Sequence, residues 1–154
     1  MTAHGERVLG LDVGERRIGL AVSDDLGWMA HGIPTLERTF LRKDLGRLRG
    51  IIAEHQIKKL VVGLPRNMNG GIGPQAVSVL AFIEVLKTRL QIDVIPWDER
   101  LTTAEAERAL ISADLSREKR RKKIDQVAAV LILQGYLDYR RLAHTAEYTK
   151  PDNS

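Results

Sequence analysis

Two stretches near the start of the chain, RVLGLDVG (Arg7–Gly14) and RIGLAVSD (Arg17–Asp24), alternate with a period of two residues and read as β-strands. Leu9, Leu11 and Val13 share one face of the first, and Ile18, Leu20 and Val22 share one face of the second. The opposite faces carry Val8, Gly10 and Asp12, then Gly19, Ala21 and Ser23. Joined by Gly14-Glu15-Arg16, the two strands form a hairpin with one bulky apolar face and one face of small residues. Asp is depleted in strands, and a buried carboxylate must be paired or must coordinate a cation. The small residues leave room beside Asp12; the plainer reading is a strand-end acid bonding the Gly14 turn.

The remainder alternates helix and strand. A third strand is expected near Trp28–Thr35. Leu41, Leu45, Leu48 and Ile52 keep helical spacing, which predicts an amphipathic helix over Leu41–His55. KKLVVGLP reads as a short strand buried on both faces. The glycine-rich RNMNGGIG follows and ends at Pro74, a good first helical residue, before a helix over Gln75–Leu90. IDVIPW is a parallel-type strand ending in Asp98-Glu99-Arg100, and Thr102 with Glu105 makes a capping box for a further helix. A cationic loop leads to a last helix from Ile124 to about Arg140. The expected fold is α/β: a mixed five-stranded sheet, with a leading antiparallel hairpin and the first strand central, covered by helices on both faces. A chain of 154 residues suits one domain, over residues 1–140, with a mobile tail over 141–154.

Charge is concentrated. The chain carries a net +4, but Arg117–Lys123 alone holds six basic residues against Glu118, a net +5, so everything else sums to −1. Such a run reads as a polyanion footprint, with a solvated basic loop as the plain alternative. Lys119, Arg120, Arg121, Lys122 and Lys123 are its nucleic-acid-binding candidates. There are no cysteines, which removes disulfides and thiolate metal sites and agrees with a cytoplasmic location. No apolar run approaches a bilayer span, so no membrane partner is expected, and the opening MTAHGERV lacks the apolar core of a signal peptide.

The acids converge in prospect. Asp98 and Glu99 fall at the C-terminal edge of a parallel strand, where open α/β sheets place ligand groups; otherwise they are an acidic strand-to-helix loop. Asp125 opens the last helix, where the helix dipole favours a carboxylate, and Ala128 and Ala129 beyond it are small. A central strand, a neighbouring strand end and a covering helix can meet at one sheet edge. Carboxylates gathered there repel unless a cation joins them. Oxygen-only ligation suits Mg²⁺ or Mn²⁺, and two such ions about 4 Å apart would clamp a phosphate for attack by water. His4, His31, His55 and His144 show no ligand spacing.

LDVGERRIGLAVSD, VVGLPRNMNGGIGP, DERLTT and KIDQVAAVLILQGYLD closely resemble, in order, the four motif blocks of the YqgF/RuvX family of the RNase H-like superfamily. The resemblance covers Arg7 to about Asp138. It implies an RNase H-like nuclease whose metal triad is Asp12, Glu99 and Asp125, with Asp98 adjacent and a possible ligand. It implies Mg²⁺- or Mn²⁺-dependent cleavage of phosphodiesters, with two candidate substrates: four-way (Holliday) DNA junctions and the 5′ end of precursor 16S ribosomal RNA. A resolvase would be a homodimer, and an RNA nuclease could be a monomer. Arg16, Arg17, Asn67, Arg100, Lys122 and Lys123 match basic or polar motif positions that could touch a nucleic-acid backbone. Arg17 could equally pair with an acid, and Asn67 could form a turn. The glycine loop departs from the family pattern: Arg66 replaces an apolar residue, Asn69 an Asp, and Ile72 a common acid. The charge at Arg66 would favour backbone contact.

Two other readings compete. The leading hairpin also resembles the phosphate-binding hairpin of the actin and hexokinase superfamily, which implies ATP binding, although those proteins close nucleotide between two such domains. The other is a non-catalytic nucleic-acid-binding module of the RNase H-like fold.

Overall fold

The computed structural model describes residues 6–67, 69–99 and 117–149, the last of these by backbone alone over 117–123 and 144–149. The strands are β1 (Arg7–Val13), β2 (Arg17–Ser23), β3 (Ala30–Glu37), β4 (Ile57–Leu64) and β5 (Asp93–Asp98). The described helices are α1 (Leu41–Glu54), α2 (Pro74–Leu90) and α3 (Arg117–Thr149). The sheet order is β3-β2-β1-β4-β5, so β1 is central as expected. β1 pairs antiparallel with β2 and parallel with β4, and β4 pairs parallel with β5.

Both sheet faces are buried. Leu9, Leu11, Ile18, Leu20 and Val62 join Leu45 and Leu48 of α1 and Val79, Ile83 and Leu86 of α2 in one core. Each fully buried leucine there contributes about 2 kcal/mol. On the other face, Val8, Ala21, Ala30 and Val61 meet Ala129, Ile132, Leu133, Tyr136 and Leu137 of α3. The period-two alternation of β1 and β2 thus sorts residues between a two-helix layer and a single long helix. Pro74 is the first residue of α2, and the helix ends at Gln91 in the left-handed conformation. α1 has no side-chain cap at Phe40; instead buried Asp44 accepts from the Thr39 amide at 3.0 Å and from Thr39 Oγ1 at 2.9 Å.

Three expectations change. β3 lies two residues later than Trp28–Thr35 at each end. The cationic stretch is not a loop: residues 117–123 are helical and continuous with the apolar run, because Lys and Arg are good helix formers and the buried segment beyond them anchors the helix. The helix also continues through Thr149, into the region expected as a tail. The helix expected from the Thr102–Glu105 capping box lies outside the described residues. No helix among the described residues is long and apolar enough to cross a membrane.

Candidate active site

Asp12 lies near the end of β1, half-buried, directly opposite Gly19 of β2. Gly19 is bare because α3 passes over it: a Cβ there would overlap the Asp125 carbonyl oxygen and lie 2.7 Å from its carbonyl carbon. The ladder between β2 and β3 shifts at the same point, where Pro34 and Thr35 stand against Gly19 alone. Pro34 has no amide to donate, so a bulge on this edge strand costs no ladder bond at that residue.

On the other side of β1, the parallel ladder with β4 runs to Leu11 opposite Val62, and Gly63 is the next residue of β4. A Cβ on Gly63 would come within 2.7 Å of Glu99 Oε1 and 3.1 Å of Glu99 Cγ. The two strands flanking Asp12 therefore each present a glycine beneath another acid: Asp125 over Gly19, and the Glu99 carboxylate over Gly63. Asp12, Glu99 and Asp125 are brought to one end of the sheet, each half-buried and each engaged by a neighbouring group. Among the described residues, no three His, Cys, Asp or Glu groups stand close enough to hold a metal ion as they are.

Asp125 reaches this edge by another route than a helix start. It lies eight residues beyond Arg117, in the helix interior, whereas the dipole field fades within the first turn. Its position is set instead by α3 lying across bare backbone: Gly10 of β1 sits under Leu133 Cβ and the Ala129 carbonyl, Gly63 under Ile132, and Gln126 Nε2 donates to the Ile33 carbonyl at 3.0 Å.

The other candidates divide. Asp98 Oδ2 lies 3.8 Å from Arg66 Nη1, an ion pair between the end of β5 and the start of the glycine loop. Arg17 Nε donates to Glu37 Oε1 at 3.0 Å, the acid pairing foreseen as its alternative. Asn67 closes a turn, its amide donating to the Gly71 carbonyl at 2.9 Å and its carbonyl accepting from Gly70 at 2.8 Å. Arg16 is exposed beside Asp12's turn. Arg100 falls outside the described residues, and Lys119, Arg120, Arg121, Lys122 and Lys123 are described by their helical backbone alone.

Sequence reasoning missed Arg38. Its Nη1 donates to the Gly14 carbonyl at 2.7 Å, its amide donates to the Arg16 carbonyl at 2.8 Å, and its guanidinium lies 5.1 Å from the Phe82 ring centre. It ties the turn after Asp12 to β3 and α2, and a partner 24 residues away leaves no local pattern. Gly63 did leave one: a glycine inside a buried strand marks a close approach.

A family model described as RuvX, Holliday junction resolvase, matches residues 6–139. A protein of Clostridioides difficile is 54% identical over 134 residues, covering 87% of this chain and 95% of its own. One of Clostridium tetani is 52% identical over 132 residues, covering 86% and 96%. Both are provisionally named pre-16S rRNA nucleases. Among solved structures, Thermus thermophilus RuvC in complex with a Holliday junction substrate aligns with a TM-score of 0.55 at 15% identity, over 90% of this chain and 96% of that one. The Fowlpox virus resolvase with Holliday junction DNA aligns with a TM-score of 0.53 at 11% identity, over 87% and 98%. At such identities these two likenesses establish a shared RNase H-like fold.

Proposed function

The chain belongs to the RuvX family and is a nuclease, and from that premise we propose that it hydrolyses phosphodiesters at the edge formed by Asp12, Glu99 and Asp125, with the 5′ region of precursor 16S ribosomal RNA as substrate. The observation that carries the reading is the pair of bare glycines, Gly19 and Gly63, that flank Asp12 and hold Asp125 and Glu99 above them. The RNA assignment leans on the relatives at 52–54% identity. A second reading, four-way DNA junctions, draws on the description of the family model. Family membership sets aside ATP binding.

The donor set fits a hard divalent cation: three carboxylates and neither thiolate nor imidazole. Asp12, Glu99 and Asp125 would hold Mg²⁺ or Mn²⁺, in one or two ions, with Asp98 beside them. When bound, such ions supply Lewis acidity to the phosphate and to the attacking water. The chain's own part is placement. The β1 register fixes Asp12, Arg38 fastens the turn behind it, and α3 delivers Asp125 without a loop. Arg16, Arg66, Arg100 and the basic run Lys119–Lys123 would draw the backbone toward this edge by charge. Arg17 and Asn67 would act there through the structures they brace.

The test is cleavage by wild type and Asp12→Asn, in Mg²⁺ and in Mn²⁺, of a structured RNA with a single-stranded 5′ leader and of a mobile four-way DNA junction. Wild type is expected to cut within the leader, and Asp12→Asn to bind both substrates and cut neither. Paired symmetric nicks in the junction would transfer the assignment to the second reading. A variant cutting at the wild-type rate would remove Asp12 from the chemistry.

A further inference from the structure

The chain has seven aromatic residues, too few for aromatic stacking to be read from composition. The fold nonetheless gathers four of them along the distal half of α3, in two groups. On one flank, Trp97 of β5 lies over Gly135, with its Nε1 3.2 Å from the point a Cβ would occupy there. Its ring meets Tyr136 edge-on at 6.0 Å and Tyr139 at 5.8 Å. Tyr136 is buried, and the Arg140 guanidinium lies 5.6 Å from its ring centre. Tyr139 is 61% exposed.

Two donors at this shelf, Trp97 Nε1 and Arg140 Nη2, are buried without an acceptor among the described residues. Buried donors are nearly always satisfied, so these two mark a polar seam beneath the exposed Tyr139 ring. One end of the shelf, Trp97, borders the candidate active site, and the other, Tyr139, stands 14 residues and about 21 Å beyond Asp125 along α3. Trp97 pairs with Gly63, the glycine beneath the Glu99 carboxylate, and Glu99 follows two residues later, about 7 Å along the chain.

The other flank looks similar but has no unpaired cation among the described residues it displays. Trp28 is exposed and carries the Arg141 guanidinium at 5.3 Å, but both cations there are already taken, Arg141 by Asp138 at 3.0 Å and Arg7 by Asp25. The Trp97 flank keeps its cation, Arg140, on an aromatic face.

We propose that Trp97, Tyr136, Tyr139 and Arg140 form a stacking shelf that receives an unpaired nucleotide of the substrate on the Glu99 side of the cutting edge, about 20 Å along α3 from Asp125. The base lies on Tyr139, backed by Trp97, with the Arg140 guanidinium close by on Tyr136. This rests on the nuclease reading and sharpens it: the preferred substrate has a single-stranded segment a few nucleotides from the cut, which duplex alone cannot supply.

The experiment measures binding, with Ca²⁺ in place of the catalytic ion, to an RNA hairpin with a single-stranded 5′ tail and to the same hairpin made blunt. Tyr139→Ala is expected to weaken binding of the tailed hairpin by on the order of tenfold and to leave the blunt one unchanged. Tyr139→Phe should retain wild-type affinity, and Trp28→Ala should alter neither. Equal loss on both hairpins, or loss on neither, overturns the shelf. The two readings separate cleanly. A tail-dependent loss in a protein that cuts nothing in Mg²⁺ or Mn²⁺ keeps the shelf and removes the nuclease. Cutting by wild type, with tail binding untouched by Tyr139→Ala, does the reverse.

Discussion

At the scale of single residues, the site depends on atoms that are missing. Gly19 has no side chain because the Asp125 backbone occupies that space, and Gly63 because Glu99 and Ile132 do. Gly19→Ala would push α3 off the sheet, since the nearest atoms are backbone and cannot rotate away. It is expected to cost about 3 kcal/mol, the upper end of overpacking penalties, and to abolish cleavage although all three acids remain. Gly46→Ala on α1 is the control: a Cβ there meets nothing within 4 Å, and alanine is the better helix former by about 1 kcal/mol. Urea unfolding of the two variants should move the midpoint in opposite directions; a neutral Gly19→Ala would refute the close approach. Asp12 and its small neighbours could be read from strand alternation alone, because period two is local. Arg38 could not, because both of its carbonyl partners are brought to it by the fold.

At the scale of elements, α3 carries the largest difference between expectation and structure. A run of like charges suggests a loop, and Asp125 then looks like a helix opening. The structure makes the run part of a 33-residue helix, about 50 Å long, with Asp125 in its interior. Burial of Ala129, Leu133 and Leu137 on the sheet anchors the helix, and propagation through Lys and Arg is then cheap. The basic run therefore continues the same rigid element that positions Asp125. Replacing Lys119, Arg120, Arg121, Lys122 and Lys123 with glutamine should preserve helix content, since glutamine is also a good helix former. Anisotropy titrations against KCl should show weaker nucleic-acid binding. Each phosphate that the variant no longer neutralises should flatten the slope of log affinity against log salt by about 0.7 to 0.9. An unchanged slope would take the run out of the interface.

At the scale of the whole molecule, the substrate and the number of copies are linked. A resolvase makes two cuts related by a twofold axis and needs two subunits, whereas trimming one RNA end needs one. The RNA reading therefore permits a monomer in sedimentation velocity at micromolar concentration, alone and with the leader RNA, whereas a stable dimer formed on a junction would favour the DNA reading. Local pattern in the sequence already determined the hairpin, the α/β class, the limits of α1 and α2 within a residue, and which acids to suspect. Hydrophobic periodicity and turn chemistry act over a few residues and survive in a linear string. The tertiary structure alone decided that Asp125 lies over Gly19, that Glu99 lies over Gly63, that Arg38 fastens the turn behind Asp12, and that aromatics from β5 and α3 share one shelf. Those relations join residues from 22 to more than 100 positions apart, and only the sheet order, with a helix lying across bare glycine backbone, brings them into contact.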